Sequence, residues 1–145
     1  MRVILQRVNS ASVTVNSNTV SSINRGILIF VGFSKEFSEE KIDWMAKKIC
    51  NLRIFESKEK GFDLNIKQIN GEILIVSQFT LHSIIEGNKP NFKNSLEYEK
   101  AKNAYEKFVK KVKEYSELKV ETGIFGAMMK VNLENDGPVT IFLDK

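Results

Sequence analysis

The residues most suited to chemistry stand together at the end of one apolar run. Gly71 to Leu81 passes from continuous aliphatics, Ile73 to Val76, into Ser77-Gln78-Phe79-Thr80, and the chain's single histidine, His82, follows two positions later. Read as one strand, side chains alternate, so Gln78, Thr80 and His82 share one face while Ser77, Phe79 and Leu81 share the other. The first set could line a pocket that requires hydrogen bonds. The ordinary alternative is a strand leaving the core, its hydroxyls satisfied by neighbouring backbone. A Ser-His-Asp triad would have to use His82, which is poorly placed as a base for Ser77 on the opposite face.

Other chemistries lack their residues. One cysteine and one histidine cannot supply a zinc site of Cys and His, and no run of carboxylates has calcium-loop spacing. Neither GxGxxG nor a P-loop occurs. A metal-free, cofactor-free hydrolase must rely on binding energy, on backbone N–H donors around an oxyanion, and on a water or a substrate hydroxyl as nucleophile. Aminoacyl esters are activated enough for that.

Two further segments carry weaker signals. Gly87-Asn88-Lys89-Pro90-Asn91-Phe92 combines turn formers, a cation and an aromatic, which could hold a phosphate and stack on a base; read plainly, it is a surface loop anchored by Phe92. Asn135-Asp136-Gly137-Pro138 reads as a tight hairpin turn, with Pro at the start of the next strand. The lysines between Lys107 and Lys113 could meet an RNA backbone, although a solvated helix face is the commoner meaning of such a run.

The elements that position these residues belong to one domain, 1–145. Hydrophobic residues are 42% and charged residues 28%, the balance of a globular chain. Strand patterns are VILQRV near residue 3, ASVTV at 11–15, GILIFVGF at 26–33, the 71–81 run, and MKVNLE and VTIFLDK on either side of the Asp-Gly signal. A helix is expected from Ser38, as N-cap, to Leu52, with Ile42, Met45, Ala46 and Ile49 on one face and Trp44 beside it. A second begins near Ser95, with Leu96, Ala101, Tyr105, Phe108, Val109 and Val112 at helical spacing. The fold class is α+β: a largely antiparallel, barrel-like sheet with two packed helices. The first residues read as strand rather than signal peptide, no segment approaches membrane-spanning length, and lone Cys50 fits a buried reduced thiol in a cytoplasmic protein. A net charge of +4 favours approach to a polyanion without deciding it.

These pieces resemble the D-aminoacyl-tRNA deacylase (D-tyrosyl-tRNA deacylase) family along nearly the whole chain. MRVILQRV and ASVTV, NLRIFE at 51–56, VSQFTL at 76–81, GNKPNF, TGIFGAMM at 122–129 and NDGPVT at 135–140 occur in the family's order. The resemblance implies that Ser77, Gln78, Phe79 and Thr80 form the active site. It also implies that Gly137-Pro138 is a cis peptide, reaching from one subunit of a homodimer into the other's pocket, where backbone carbonyls exclude an L side chain. Met129, Pro90, Phe92 and Phe125 would bind substrate, and Phe79 would help place the terminal adenosine. The tRNA's own 2′-hydroxyl would assist hydrolysis, leaving Thr80 an active-site residue whose nucleophilic role is open. Expected substrates are D-aminoacyl-tRNA and glycine mischarged on tRNA(Ala), without cofactor, metal or membrane. The chain departs from the common pattern at His82–Glu86, where Ile84-Ile85 intervenes, and at Asn91, which replaces a small Ser. Two other readings stand beside it: a non-catalytic RNA-binding module of the same fold, and a serine esterase built on Ser77 and His82.

Overall fold

The alternating N-terminal pattern forms one long strand, β1 (Arg2–Val15), rather than two. Asn16 and Ser17 both take positive φ, the geometry of a two-residue hairpin turn, and lead into β2 (Asn18–Ile23). The computed structural model describes all residues 1–145. β3 (Gly26–Gly32) then pairs antiparallel with Arg2–Val8 of β1, on the same edge that pairs β2 further along.

Helix α1 (Glu39–Asn51) starts at Ser38, whose Oγ accepts the Lys41 N–H, and buries the Ile42, Met45, Ala46 and Ile49 stripe expected of it, with Cys50. It carries the chain over the sheet to β4 (Glu72–Ser77), parallel to β3. A 3₁₀ turn (Phe79–His82) and a small hairpin of β5 (Ile84–Glu86) and β6 (Lys89–Asn91) follow. Helix α2 (Tyr98–Ser116) crosses to β7 (Val120–Thr122), parallel to β4. It begins at Tyr98 rather than Ser95, because Ser95 is held in a bridge with Ser34.

β8 (Lys130–Asp144) runs antiparallel along the free edge of β1 for the whole of that strand. The hairpin turn expected at Asn135–Pro138 is therefore absent. Instead Gln6 pairs with Thr140 and Val8 with Asn135, so the residues between bulge out opposite Arg7. Pro138 has no ladder donor to lose there, and the Asp-Gly turn signal is spent on the bulge rather than on reversing the chain.

The sheet is thus mixed, with β1's three pairings antiparallel and the two around β4 parallel. One face packs Val3, Leu5, Ile27, Ile29, Ile73 and Ile75 against both helices. Alternate residues Leu28, Leu74 and Val76 face the other way and meet Val8, Ala11 and Val13, because the bulges in the β1–β8 ladder turn the second half of β1 to that side. The sheet curls nearly into a barrel around this second cluster. No helix is long and apolar enough to cross a membrane.

Candidate active site

β4 is buried on both faces until Ser77, its last residue paired to β3. Gln78 still donates its N–H to Val31 O at 2.8 Å; the chain then tightens, with Leu81 N–H bonded to Gln78 O and Ser83 N–H to Thr80 O. Strand alternation therefore stops at Ser77. Gln78 and Thr80 do meet, but through this turn: Gln78 Nε2 donates to Thr80 Oγ1 at 2.5 Å. Phe79 and Thr80 open this 3₁₀ turn, so their N–H groups, as the first donors of a helical turn, have no acceptor within it.

His82 does not join them. It is 6% exposed, with Nε2 3.2 Å from Gly32 O, and burial holds its pKa below the ordinary value. A neutral ring bonded to a backbone carbonyl is a core residue, and a Ser77–His82 triad has no support in this arrangement.

A mostly apolar cleft of about 570 Å³ opens beside the turn. Val31, Val76 and Val131 contribute from the strands, Ser77, Gln78 and Phe79 from the turn, and Phe125 and Met129 from the segment before β8. Of the residues expected to bind substrate, Phe125 and Met129 are thus brought to Ser77 and Gln78. Phe92 stands outside the cleft but packs edge-on against Phe79, ring centroids 5.0 Å apart, and Ser95 Oγ donates to Phe79 O. Pro90 is exposed on β6 and lines no part of the cleft. Nor do Gly137 and Pro138, which are exposed on the β8 bulge; the peptide between them is cis.

Sequence reasoning missed Tyr98, Ala101 and Gly126, which complete the cleft. Tyr98 and Ala101 extend the Tyr105 face of α2 by one further turn, a signal present in the spacing. Half of the lysines of α2 are in ion pairs, Lys107 with Glu39, Lys111 with Glu114 and Asp43, and Lys100 with Glu97, whereas Lys102, Lys110 and Lys113 are in none. The site thus offers the leading N–H groups of a helical turn, an amide bonded to the Thr80 hydroxyl just outside the cleft lining, and an apolar cleft with aromatic walls. That is equipment for stabilising an oxyanion on a bound ester.

Comparison with known proteins agrees. The family model described as D-Tyr-tRNA(Tyr) deacylase matches residues 4–144. A D-aminoacyl-tRNA deacylase of Aquifex aeolicus (strain VF5) is 51% identical and one of Thermosipho melanesiensis 48% identical, each alignment covering 99% of this chain and 97% of the relative. A solved structure titled c-Myc DNA unwinding element binding protein superposes with a TM-score of 0.95 at 40% identity, covering 100% of this chain and 99% of that one. Motifs in order, a shared fold and a full-length family match coincide: the chain belongs to the D-Tyr-tRNA(Tyr) deacylase family.

Proposed function

We propose that this protein cleaves the ester of D-aminoacyl-tRNA at the Ser77–Thr80 turn, in a pocket completed by a second copy of the chain. Hydrolysis of D-aminoacyl-tRNA to free D-amino acid and tRNA is the activity of its family. The roles of individual residues are our reading, carried by one observation: Ser77, Gln78 and Phe79 line the cleft where a 3₁₀ turn begins, and the leading N–H groups of that turn, those of Phe79 and Thr80, have no acceptor within it.

The ester carbonyl oxygen sits between those two N–H donors, which hold it more strongly as it becomes an oxyanion. Water adds to the carbonyl carbon, aided by the ribose 2′-hydroxyl. The tetrahedral intermediate collapses with cleavage of the bond to the 3′-oxygen, which takes up a proton. Gln78 fixes the Thr80 hydroxyl beside the ester, so Thr80 orients rather than attacks. Phe125, Met129 and Phe79 hold the terminal adenosine; Phe92 supports Phe79, and Pro90 stiffens the hairpin behind it.

The chiral filter is Gly137-Pro138 of the second copy. Support comes from both residues being exposed on a bulge and lying outside their own chain's cleft. Backbone carbonyls there crowd an L side chain, whereas a D side chain points away. Selection is by exclusion, so scope over D-amino acids is broad and achiral glycine on tRNA(Ala) is also accepted. The protein acts as a homodimer in the cytoplasm, where charged tRNA is used.

Gln78→Ala and Thr80→Ala test the catalytic reading. Each should lower the single-turnover rate on D-Tyr-tRNA by about 10- to 100-fold, somewhat less than removal of a direct oxyanion donor, with tRNA affinity unchanged. Equal behaviour of wild type and both variants would make the chain an RNA-binding module of the same fold.

A further inference from the structure

Tyr98 lies between GNKPNF and TGIFGAMM, outside the motifs that carry the resemblance, yet it is a wall of the cleft. It opens α2 and is 57% exposed, a large apolar ring left uncovered at a site mouth. Its placement is fixed from two sides. The ring packs edge-on against Phe125 at 5.3 Å, and Phe125 rests in turn on buried Tyr105 at 5.5 Å. Gly126, at φ +76°, passes beneath the phenol so closely that a Cβ there would lie 2.5 Å from the hydroxyl oxygen.

We propose that Tyr98 is a substrate-binding residue for the terminal nucleotide, its ring stacking on the adenine. This rests on the placement of the ester at the Ser77–Thr80 turn. Two arms leave an ester pinned there, the amino-acid side chain and the ribose with its base. Exclusion of L side chains by backbone alone requires no dedicated side-chain pocket. A purine requires a flat apolar slot, and aromatic faces supply one regardless of the amino acid carried. The end of the cleft bounded by Tyr98, Ala101, Phe125 and Gly126 has that character. Because Tyr98 meets the invariant part of every substrate, it sets affinity without touching the reacting atoms.

The test uses the full chain and two non-hydrolysable probes: D-tyrosine amide-linked to 3′-amino-3′-deoxyadenosine, and the same amide on a ribose lacking the base. Tyr98→Ala should weaken binding of the adenosine probe about tenfold, towards the lower end of the effect of removing one stacking platform. Binding of the base-free probe should not change. Tyr98→Phe, which keeps the stacking ring, should lie within about threefold of wild type. On D-Tyr-tRNA, Tyr98→Ala should raise KM by a similar factor at unchanged kcat. Unchanged adenosine-probe binding in Tyr98→Ala overturns the inference, as does an equal loss with the base-free probe or an equal loss in Tyr98→Phe. Failure of wild type to bind either probe overturns instead the placement of the ester on which the inference rests.

Discussion

Arg7 and Asp136 face each other across the bulge of β8, Arg7 Nε lying 2.8 Å from Asp136 Oδ2 while Arg7 Nη1 donates to Ile54 O at 2.6 Å. The Nε–H is not aimed at the carboxylate, so the contact with Asp136 is ionic. Arg7 is only 5% exposed and ties the residue preceding Gly137 to the core. Arg7→Ala should cost about 2–4 kcal/mol, somewhat below a fully buried pair because Asp136 is partly exposed. It should also erode the preference for D over L esters by loosening the Gly137-Pro138 segment. Urea unfolding and paired D- and L-Tyr-tRNA assays check both effects; an unshifted midpoint would contradict the first.

Gly26 begins the parallel pairing of β3 with β4, and a Cβ on it would lie 1.8 Å from the Glu72 carbonyl oxygen. Backbone cannot yield as a side-chain tip can. Gly26→Ala should therefore destabilise by about 3 kcal/mol or more and lower the yield of folded protein, since β4 carries Ser77. Thermal unfolding measures it, and a Tm within a degree of wild type would show that the strands separate easily.

Burial pushes the Cys50 thiol up to about 11. Because its folded pKa lies above the unfolded value near 9, this group's contribution to stability is complete below pH 9 and is lost as pH rises through 11. At pH 8 iodoacetamide should alkylate native protein at least about 100-fold more slowly than urea-unfolded protein, the ratio of thiolate present. Similar rates in both states would place the thiol at the surface.

His82 titrates in the opposite sense. Burial lowers its pKa, so the neutral ring's contribution is present above its ordinary value of 6.5 and is lost as pH falls through the depressed folded value. Urea midpoints of wild type should drop between pH 7 and pH 5, and those of His82→Gln should drop less. Because His82 serves packing, His82→Gln that remains folded should keep its hydrolytic rate at neutral pH. A loss of 100-fold or more in kcat would revive the esterase built on Ser77.

Much of the scaffold was legible because local signals and tertiary packing agree in it. Ser38 caps α1 and the Ile42–Ile49 stripe faces the core, as spacing alone requires. Disagreement arose where a local signal met a long-range partner. Asp136-Gly137 carries strong turn chemistry, yet β1 offers one continuous edge, and the ladder prevailed by bulging. Ser77 to His82 has strand-like alternation, but the chain reaches the end of β3 and tightens into a turn. β7, only Val120–Thr122, is too short and too charged to stand out before its parallel neighbour is known. Within the site, Ser77, Gln78, Phe125 and Met129 line one cleft, a meeting of distant segments that no local pattern announces. Tyr98 escaped notice because it falls outside both the motifs that carry the resemblance and the stripe from Leu96 to Val112.

Hydrolysis and its chirality are read in one assay, the purified chain incubated with D-Tyr-tRNA and L-Tyr-tRNA side by side while release of the amino acid is followed. Rapid loss of the D ester with the L ester spared is the expected result. Cleavage of neither would contradict the catalytic account, and equal cleavage of both would contradict the filter assigned to Gly137-Pro138.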